Sequence, residues 1–451
     1  RVELGDENGN LTPYELASRL SYHFWNTMPD EELFAAAADG SLMTENGYQA
    51  QVDRLAKDPR AARVLDEFYR DFFRVQDIPN PHPTAQDGYS SYHSFPNAKY
   101  GNAGSNPTVS LQTELANLGV WYTHTQPGTH EEMFRSNLHF LECNYPLYKP
   151  EHCHGAGPWS QWVYGIPGCD GNGEQTDCHG GGWDGISDPV TFPEPERVGL
   201  LTRLAFLAHD TMLARPIQRG LKIRDILLCD PVPPPENCDV VKPPNLSGIC
   251  TDPNGVQGLE CTDDQHCGPD ETCVGWDKKV SMTVREKVEE ITETPGTSCA
   301  GCHSTVINGF GYALGHFSSQ GQYWTQERMF TKDKWKDGTF RYFKAPEEEW
   351  ADIDATGTTL VNGEMVTVNG AQDLADTLVG TGQMERCWSR EYFRFAMGRL
   401  DWKQDASSIE TLTQSLQNGS TLGDAFRAIA HLPQFKTLTK PPKAKAPGGT
   451  P

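Results

Sequence analysis

Positive charge is scarce in this chain: 38 Lys and Arg stand against 61 Asp and Glu over 451 residues, a formal net charge of −23. That balance excludes a sequence-independent hold on nucleic acid or anionic lipid. Sustained apolarity is also missing. No stretch approaches the roughly 20 apolar residues that span a bilayer, and the mean hydropathy is −0.58, so no transmembrane segment is expected and the chain reads as water-soluble and globular. There is no Gly-rich phosphate loop, no G-x-S-x-G elbow and no H-E-x-x-H, which removes the usual nucleotide, serine-hydrolase and zinc-protease readings. Cysteine, glycine and proline, in contrast, are plentiful at 13, 43 and 32. They describe a loop-rich protein, and that much cysteine is unusual in a reducing compartment. Export is therefore expected, to the periplasm, the cell surface or the medium. Arg rather than Met at position 1 fits a mature chain whose targeting segment has been removed.

A chain this long exceeds one core, so two to three packed units are expected. The fold class read from periodicity is mainly α: a helical bundle plus a cytochrome-like helical domain, with disulfide-rich loop insertions and a short β-hairpin. Thr12-Pro13-Tyr14-Glu15 is a capping box with proline at the first helical position, and Leu16, Leu20 and Phe24 continue it to a helix ending near Asn26. Ala62 to Val75 repeats the pattern, as do Leu111 to Tyr122 and Glu131 to Leu138, and residues 1–142 form the N-terminal helical domain. Residues 143–195 read as a Cys/Gly/Trp-rich insertion, for which Cys143 with Cys153 and Cys169 with Cys178 are the simplest pairings. Within it Asp170-Gly171-Asn172-Gly173-Glu174, with Asp177, resembles the start of a calcium loop but has Gly181 where loop position 12 needs an acid. Asp6-Glu7-Asn8-Gly9-Asn10 is a weaker version.

Residues 196–345 are assigned as the haem-binding unit, with helices at Arg197 to Ala208 and Ile217 to Leu228 and a Cys-rich loop at 236–276. Thr283 with Glu286 opens a helix that leads to Cys299-Ala300-Gly301-Cys302-His303. This C-x-x-C-H spacing suits covalent attachment of one haem c: two thiols three positions apart reach the two vinyl groups, and the adjacent imidazole reaches the iron. Cys299 and Cys302 are the expected anchors and His303 the proximal ligand. A thioredoxin-like pair would need a preceding strand, and a zinc site a fourth ligand, for which no second C-x-x-C exists. Eleven cysteines then remain, an odd number, and Cys387 is the candidate to stay unpaired because it stands alone at the start of an expected helix.

The sixth iron position decides between electron transfer and catalysis. His209 ranks first, then His316, with Met212, Met384 and Met397 also within the set; Phe310, Tyr312, Phe317, Tyr323 and Trp324 are candidate pocket walls. Residues 346–437 read as a C-terminal helical domain packing on the haem unit, with a hairpin over Thr358 to Val368 about Asn362-Gly363 and helices at Ala371 to Leu378, Ser389 to Gly398 and Ser407 to Leu416. The Lys/Pro/Gly tail, 438–451, cannot form a core by itself and is expected to dock on a partner.

Several segments together resemble the planctomycete-type, also myxobacterial, multi-domain cytochrome c family of uncharacterised domains: Thr12 to Tyr22 with Trp25 and Met28-Pro29-Asp30, Gly199-Leu200-Leu201-Thr202, Arg215-Pro216-Ile217-Gln218-Arg219-Gly220, the C-x-x-C-H, Asn308-Gly309-Phe310-Gly311-Tyr312-Ala313-Leu314, and Phe395 to Arg399. The resemblance implies an exported haem protein, usually with further domains upstream, and leaves the reaction open. It breaks at the two cysteine-rich insertions and at Gly315-His316-Phe317-Ser318, where the family carries Glu-Asn-Phe-Asp. Three functions follow as expectations: a single-haem electron carrier with a redox partner or fellow subunits, a haem oxidase or peroxidase acting on an extracellular organic or polysaccharide substrate, and a haem-stapled structural subunit of a cell-surface or filament assembly. Haem propionates would add to the negative charge, so a docking partner is expected to offer a basic face.

Overall fold

Thr12 organises the first helix. Its hydroxyl accepts the Glu15 amide, the Glu15 carboxylate accepts the Thr12 amide at 2.8 Å, and Pro13 presets the backbone, so α1 runs Pro13–Trp25. Asn26 ends it in the left-handed conformation, φ 52°. Then come α2 (Glu31–Ala38), α3 (Glu45–Lys57) and α4 (Ala61–Phe72), the first two capped by the side chains of Asp30 and Thr44. The computed structural model describes residues 4–78, 107–140, 189–192, 195–208, 215–233, 248–254, 257–261, 267–274, 281–293, 295, 297–318, 321–334, 340–344 and 349–438. The calcium-like stretch at 170–177, the Cys143, Cys153, Cys169 and Cys178 pairings, His209, Met212 and the tail beyond residue 438 lie outside the described residues.

α5 (Pro107–Val120) runs into a π-helical turn at Trp121–Thr125, and α6 (His130–Phe134) is only five residues long. The helix expected over Glu131 to Leu138 gives way to β1 (Leu138–His139), which pairs antiparallel with β2 (Val190–Thr191). The helix expected over Arg197 to Ala208 is also corrected. Gly199 sits at φ 88° and Arg203 is extended, leaving a 3-10 turn at Leu200–Thr202 and the single turn α7 (Leu204–Leu207). Arg203 breaks it for a reason: its fully buried guanidinium donates to Glu114 at 2.7 Å and to the carbonyls of Ser136 and Leu138 at 3.0 and 2.6 Å. His139 lies 3.1 Å from the same carboxylate. The group ties α5, β1 and α7 together.

Next come α8 (Pro216–Lys222), continued by a π-turn at Ile223–Leu227, and a sheet in which β3 (Gly248–Thr251) lies between β4 (Gln257–Cys261) and β5 (Thr272–Val274). A Cys250–Cys267 disulfide staples this loop. β6 (Ser281–Met282) precedes α9 (Val284–Thr292), opened by the Thr283–Glu286 capping box. α10 (Ser298–Cys302) and α11 (Asn308–Ala313) follow. β7 (Gln326–Arg328) pairs with β10 (Trp350–Asp352), and β8 (Phe330–Lys334) with β6 and β9 (Phe340–Lys344). The hairpin about Asn362-Gly363 is present as β11 (Thr356–Val361) and β12 (Glu364–Asn369), with both turn residues at positive φ, 52° and 85°. α12 (Gly370–Gly380), α13 (Gln383–Met397), α14 (Ala406–Gln417), α15 (Leu422–Ala428) and α16 (Pro433–Lys436) complete a mainly α protein.

The C-terminal helices close the core of the N-terminal ones. Phe24 meets Phe426 edge-on at 4.9 Å, the Tyr48 hydroxyl donates to the Ala430 carbonyl at 2.6 Å, and Arg19 donates to the carbonyls of Gln434, Phe435 and Thr437. One continuous apolar cluster extends from Leu11 to Phe435 and includes Leu204, Phe310 and Leu374. Cys387, expected to stay unpaired, is instead bonded to Cys229 across 158 residues, joining α13 to the segment after α8. Among the described residues no helix is long and apolar enough to cross a membrane.

Candidate functional site

Cys299 to His303 lie on one helical run. The Thr297 hydroxyl caps it by accepting the Ala300 amide at 3.1 Å, and α10 passes without interruption through a π-turn, His303–Ile307, into α11. A π-turn widens the helix and displaces carbonyls from their regular partners; single π-turns inside helices concentrate at functional sites. Here the donors come from elsewhere in the fold. Arg224 Nε donates to the Val306 carbonyl at 2.6 Å, and the Thr359 hydroxyl reaches Val306 and Thr305 carbonyls at 3.1 and 3.3 Å. The Arg224 guanidinium also lies 5.1 Å above the buried Phe310 ring.

The Asn308-Gly309-Phe310-Gly311 sequence is built for close approach. A Cβ on Gly311 would stand 1.9 Å from the Pro216 carbonyl oxygen, and one on Gly309 would stand 2.3 Å from that of Thr358, so α11 is pressed between α8 and β11 backbone to backbone. Arg219 clamps the far end of α11, its fully buried guanidinium donating to the carbonyls of Leu314, Phe317 and Ser318 at 2.9, 2.7 and 2.7 Å. Burial with no carboxylate in those bonds pulls its pKa down to about 9.

His303 is held from its Nδ1 side. That nitrogen lies 3.2 Å from Asn308 Oδ1, while Asn308 Nδ2 donates to Glu293 at 2.6 Å and to the Thr292 hydroxyl at 3.0 Å. With the amide nitrogen committed as a donor, the oxygen faces the imidazole and accepts its Nδ1–H; this network assigns the tautomer and leaves the Nε2 lone pair as the acceptor of the ring. An acceptor hydrogen-bonded to the far ring nitrogen in this way is what orients a metal-ligating histidine. Tyr312 joins the network by donating to Glu293 at 2.8 Å. Burial, and then the Glu293 charge, push its phenol well above the ordinary range.

The two cysteines differ. Cys302 is a free, half-buried thiol, whereas Cys299 is buried and disulfide-bonded. A covalent haem therefore finds His303 and Cys302 in a fitting state, and fits Cys299 only when that sulfur is released. What precedes the motif is helix α9, and among the described residues no strand leads into it as a thioredoxin-like pair requires. Among the described residues no group of three or more His, Cys, Asp or Glu is placed to hold a metal ion.

Of the proposed sixth-position residues, His316 lies beyond the end of α11 with Nδ1 2.8 Å from the Trp324 carbonyl and its ring 5.3 Å from Tyr323. From His303 to Ala313 the helical run alone rises roughly 15 Å, so His316 belongs to its opposite end. Met384 is buried in the core, and Met397 lines a surface cleft. Phe310 and Phe317 are fully buried. At the N-terminus, Asp6 accepts hydrogen bonds from the Asn8 amide and from both nitrogens of Asn10, at 2.9, 2.8 and 3.2 Å. These amide donors make it an Asx-type turn. Asn308, Arg224 and Thr359 were not singled out from the sequence as site residues. Asn308 had a local signal, five positions after His303 on the same helix, whereas the other two act through tertiary contacts.

Two segments match protein-family models. Residues 11–141 match PSD4, described as "Protein of unknown function (DUF1592)". Residues 259–327, which span the C-x-x-C-H and its flanking helices, match PSCyt3, "Protein of unknown function (DUF1588)". Both are planctomycete cytochrome-type domain models, and each covers less than half of the chain. No curated protein matches the chain, and no solved structure does.

Proposed function

We propose that this chain is an exported c-type cytochrome carrying one covalent haem and passing electrons as a subunit of a larger redox assembly. The observation that carries the reading is the state of His303: its Nδ1–H is engaged by Asn308, which leaves Nε2 to a metal, and it directly follows Cys302 on the same helix. The PSCyt3 match over this segment supports it. Cys299 and Cys302 would hold the haem as thioethers and His303 would ligate the iron; when bound, the haem supplies a one-electron carrier. Thr292 and Glu293 hold Asn308, and through it fix the imidazole. Attachment requires Cys299 as a thiol, so its disulfide must be open when the haem is joined. The Cys229–Cys387 and Cys250–Cys267 bonds support an oxidising compartment: periplasm, cell surface or medium. The charge of −23 favours a partner with a basic docking face.

The test starts with the exported full-length protein on a denaturing gel. Haem that stays with the chain, and is lost from the Cys299→Ser/Cys302→Ser variant, is the expected result. Carbon monoxide added to the reduced protein then separates the functions: an unchanged spectrum supports electron transfer, and a rapid adduct overturns it in favour of an open iron that reacts with peroxide or oxygen. One observation favours a second reading. The Cys299 disulfide suits a structural role in which the motif is a cross-linked helix. Purified protein with no covalent haem and Cys302 as a titratable thiol would establish that reading and sink the first.

A further inference from the structure

The helices α1, α4 and α13 bring together four oxidisable or basic rings, His23, Tyr69, Trp388 and Tyr392. Trp388 and Tyr392, one turn apart on α13, are fully buried and stacked, with centroids 4.9 Å apart and planes 21° apart. Trp388 Nε1–H donates to the hydroxyl of fully buried Tyr69 at 3.3 Å, and that hydroxyl lies 2.6 Å from the Thr123 hydroxyl. The Tyr392 hydroxyl lies 3.4 Å from Nε2 of His23. Phe68, 5.7 Å from Trp388 and 4.9 Å from Tyr392, lines a cleft of about 670 Å³. His23 lines a second cleft of about 450 Å³ with Tyr22, Asn26 and Glu67.

A buried phenol or indole needs a hydrogen-bond partner whatever its role. The nature of the partners sets these two tyrosines apart. Loss of an electron makes a phenol so acidic that the proton must leave at once, and a buried phenol can be oxidised only when a base is already in contact. Tyr69 faces a hydroxyl, which cannot hold a proton. Tyr392 faces an imidazole, which can, and that imidazole borders a cleft open to water. Burial holds the Tyr392 phenol protonated far above its ordinary range, so in the resting protein the proton stays on oxygen and moves only with the electron.

We propose that Trp388 and Tyr392 form a hole-transfer relay with His23 as its proton acceptor, able to store one oxidising equivalent on Tyr392. A high-potential, metal-centred one-electron oxidant at the Phe68 cleft takes an electron from Trp388. The indole radical cation takes an electron from Tyr392, whose phenolic proton passes to His23 Nε2, giving a neutral tyrosyl radical and an imidazolium. An electron from a reductant and return of the same proton restore the resting state. This relay stands independently of the haem reading, because it uses neither Cys299, Cys302 nor His303.

The experiment is flash oxidation of the full chain by a photogenerated ruthenium(III) polypyridine complex, with the radical trapped by rapid freezing and identified by electron paramagnetic resonance. The expected result is a tyrosyl radical whose yield falls at least tenfold in Tyr392→Phe and in His23→Gln, and persists in Tyr69→Phe. In the unmodified protein its formation slows in D₂O, a readout that needs no variant to fold and that a purely structural Tyr392–His23 contact would not move. A signal unchanged in Tyr392→Phe, lost instead in Tyr69→Phe, or formed at the same rate in D₂O overturns the proposal.

Discussion

Replacing Glu114 with Met removes one member of a fully buried charged group and leaves Arg203 in place. Arg203 would keep its bonds to the carbonyls of Ser136 and Leu138 at 3.0 and 2.6 Å. Its charge would face no carboxylate where Glu114 now stands, and the same oxygen now lies 2.7 Å from Arg203 and 3.1 Å from His139. Breaking a buried pair from one side costs roughly 3–5 kcal/mol, whereas replacing the whole pair with apolar side chains is often close to neutral. With about 2.1 cal/mol/K of unfolding entropy per residue, a chain of this length that unfolds as a unit would lose only roughly 3–5 °C in Tm. Equilibrium urea unfolding is the sharper assay, read as a midpoint shift at constant slope. The expected outcome is that Glu114→Met is markedly less stable than Glu114→Met/Arg203→Met. A single variant within about 1 kcal/mol of the parent, or a double variant whose loss is the sum of the two singles, would refute the reasoning.

The same group fixes the sign of a pH effect. Burial raises the Glu114 pKa, but His139 and Arg203 outweigh it, and the net value lies below the ordinary 4.5. A carboxyl depressed in the folded state contributes in full above its unfolded value and loses that contribution as pH falls through the folded value. The stability gap between the parent and Glu114→Met therefore narrows on acidification below pH 4.5 and is widest at neutral pH.

Three other outcomes follow from the geometry. Gly311→Ala should lose at least about 1–3 kcal/mol in urea unfolding, because its Cβ would overlap the Pro216 carbonyl in a packed interface, while Gly363→Ala, in open space, should lose only the roughly 1–2 kcal/mol of a left-handed residue. Removing the Cys229–Cys387 bond by Cys229→Ala/Cys387→Ala should lower stability by up to about 5 kcal/mol, the chain-entropy value for a closed loop of this size; a loss under about 1 kcal/mol in urea unfolding would contradict it. Asn308→Ala should cost about 1–3 kcal/mol through the partners it abandons, and nitrogen NMR of His303 should show the Nε2–H tautomer gaining; an unchanged tautomer would disprove the holding role of Asn308.

Local chemistry made much of the fold legible. The Thr12 and Thr283 capping boxes and the Asn362-Gly363 turn each specify a backbone geometry within four residues, and the C-x-x-C-H announces itself by spacing alone. What was not legible depends on partners distant in the chain. Nothing near Cys387 indicates that Cys229 will meet it. The apolar run from Leu200 to Leu207 has helical spacing, yet the buried Arg203 is drawn to Glu114 and β1, and the helix breaks there. The π-turn after His303 is likewise unreadable locally, since Arg224 and Thr359, which take its displaced carbonyls, arrive from other elements.

The closure of the N-terminal helices by α15 and α16 bears on when the chain can fold. Until Phe426, Ala430 and Phe435 have been synthesised, α1 and α3 lack one wall of their core, with Phe24 and His23 facing water and Arg19 without the carbonyls it grips. Residues 11–141, matched as one family segment, share this core with the last helices. In a nascent chain these faces of α1 and α3 would stay open until the last helices had followed.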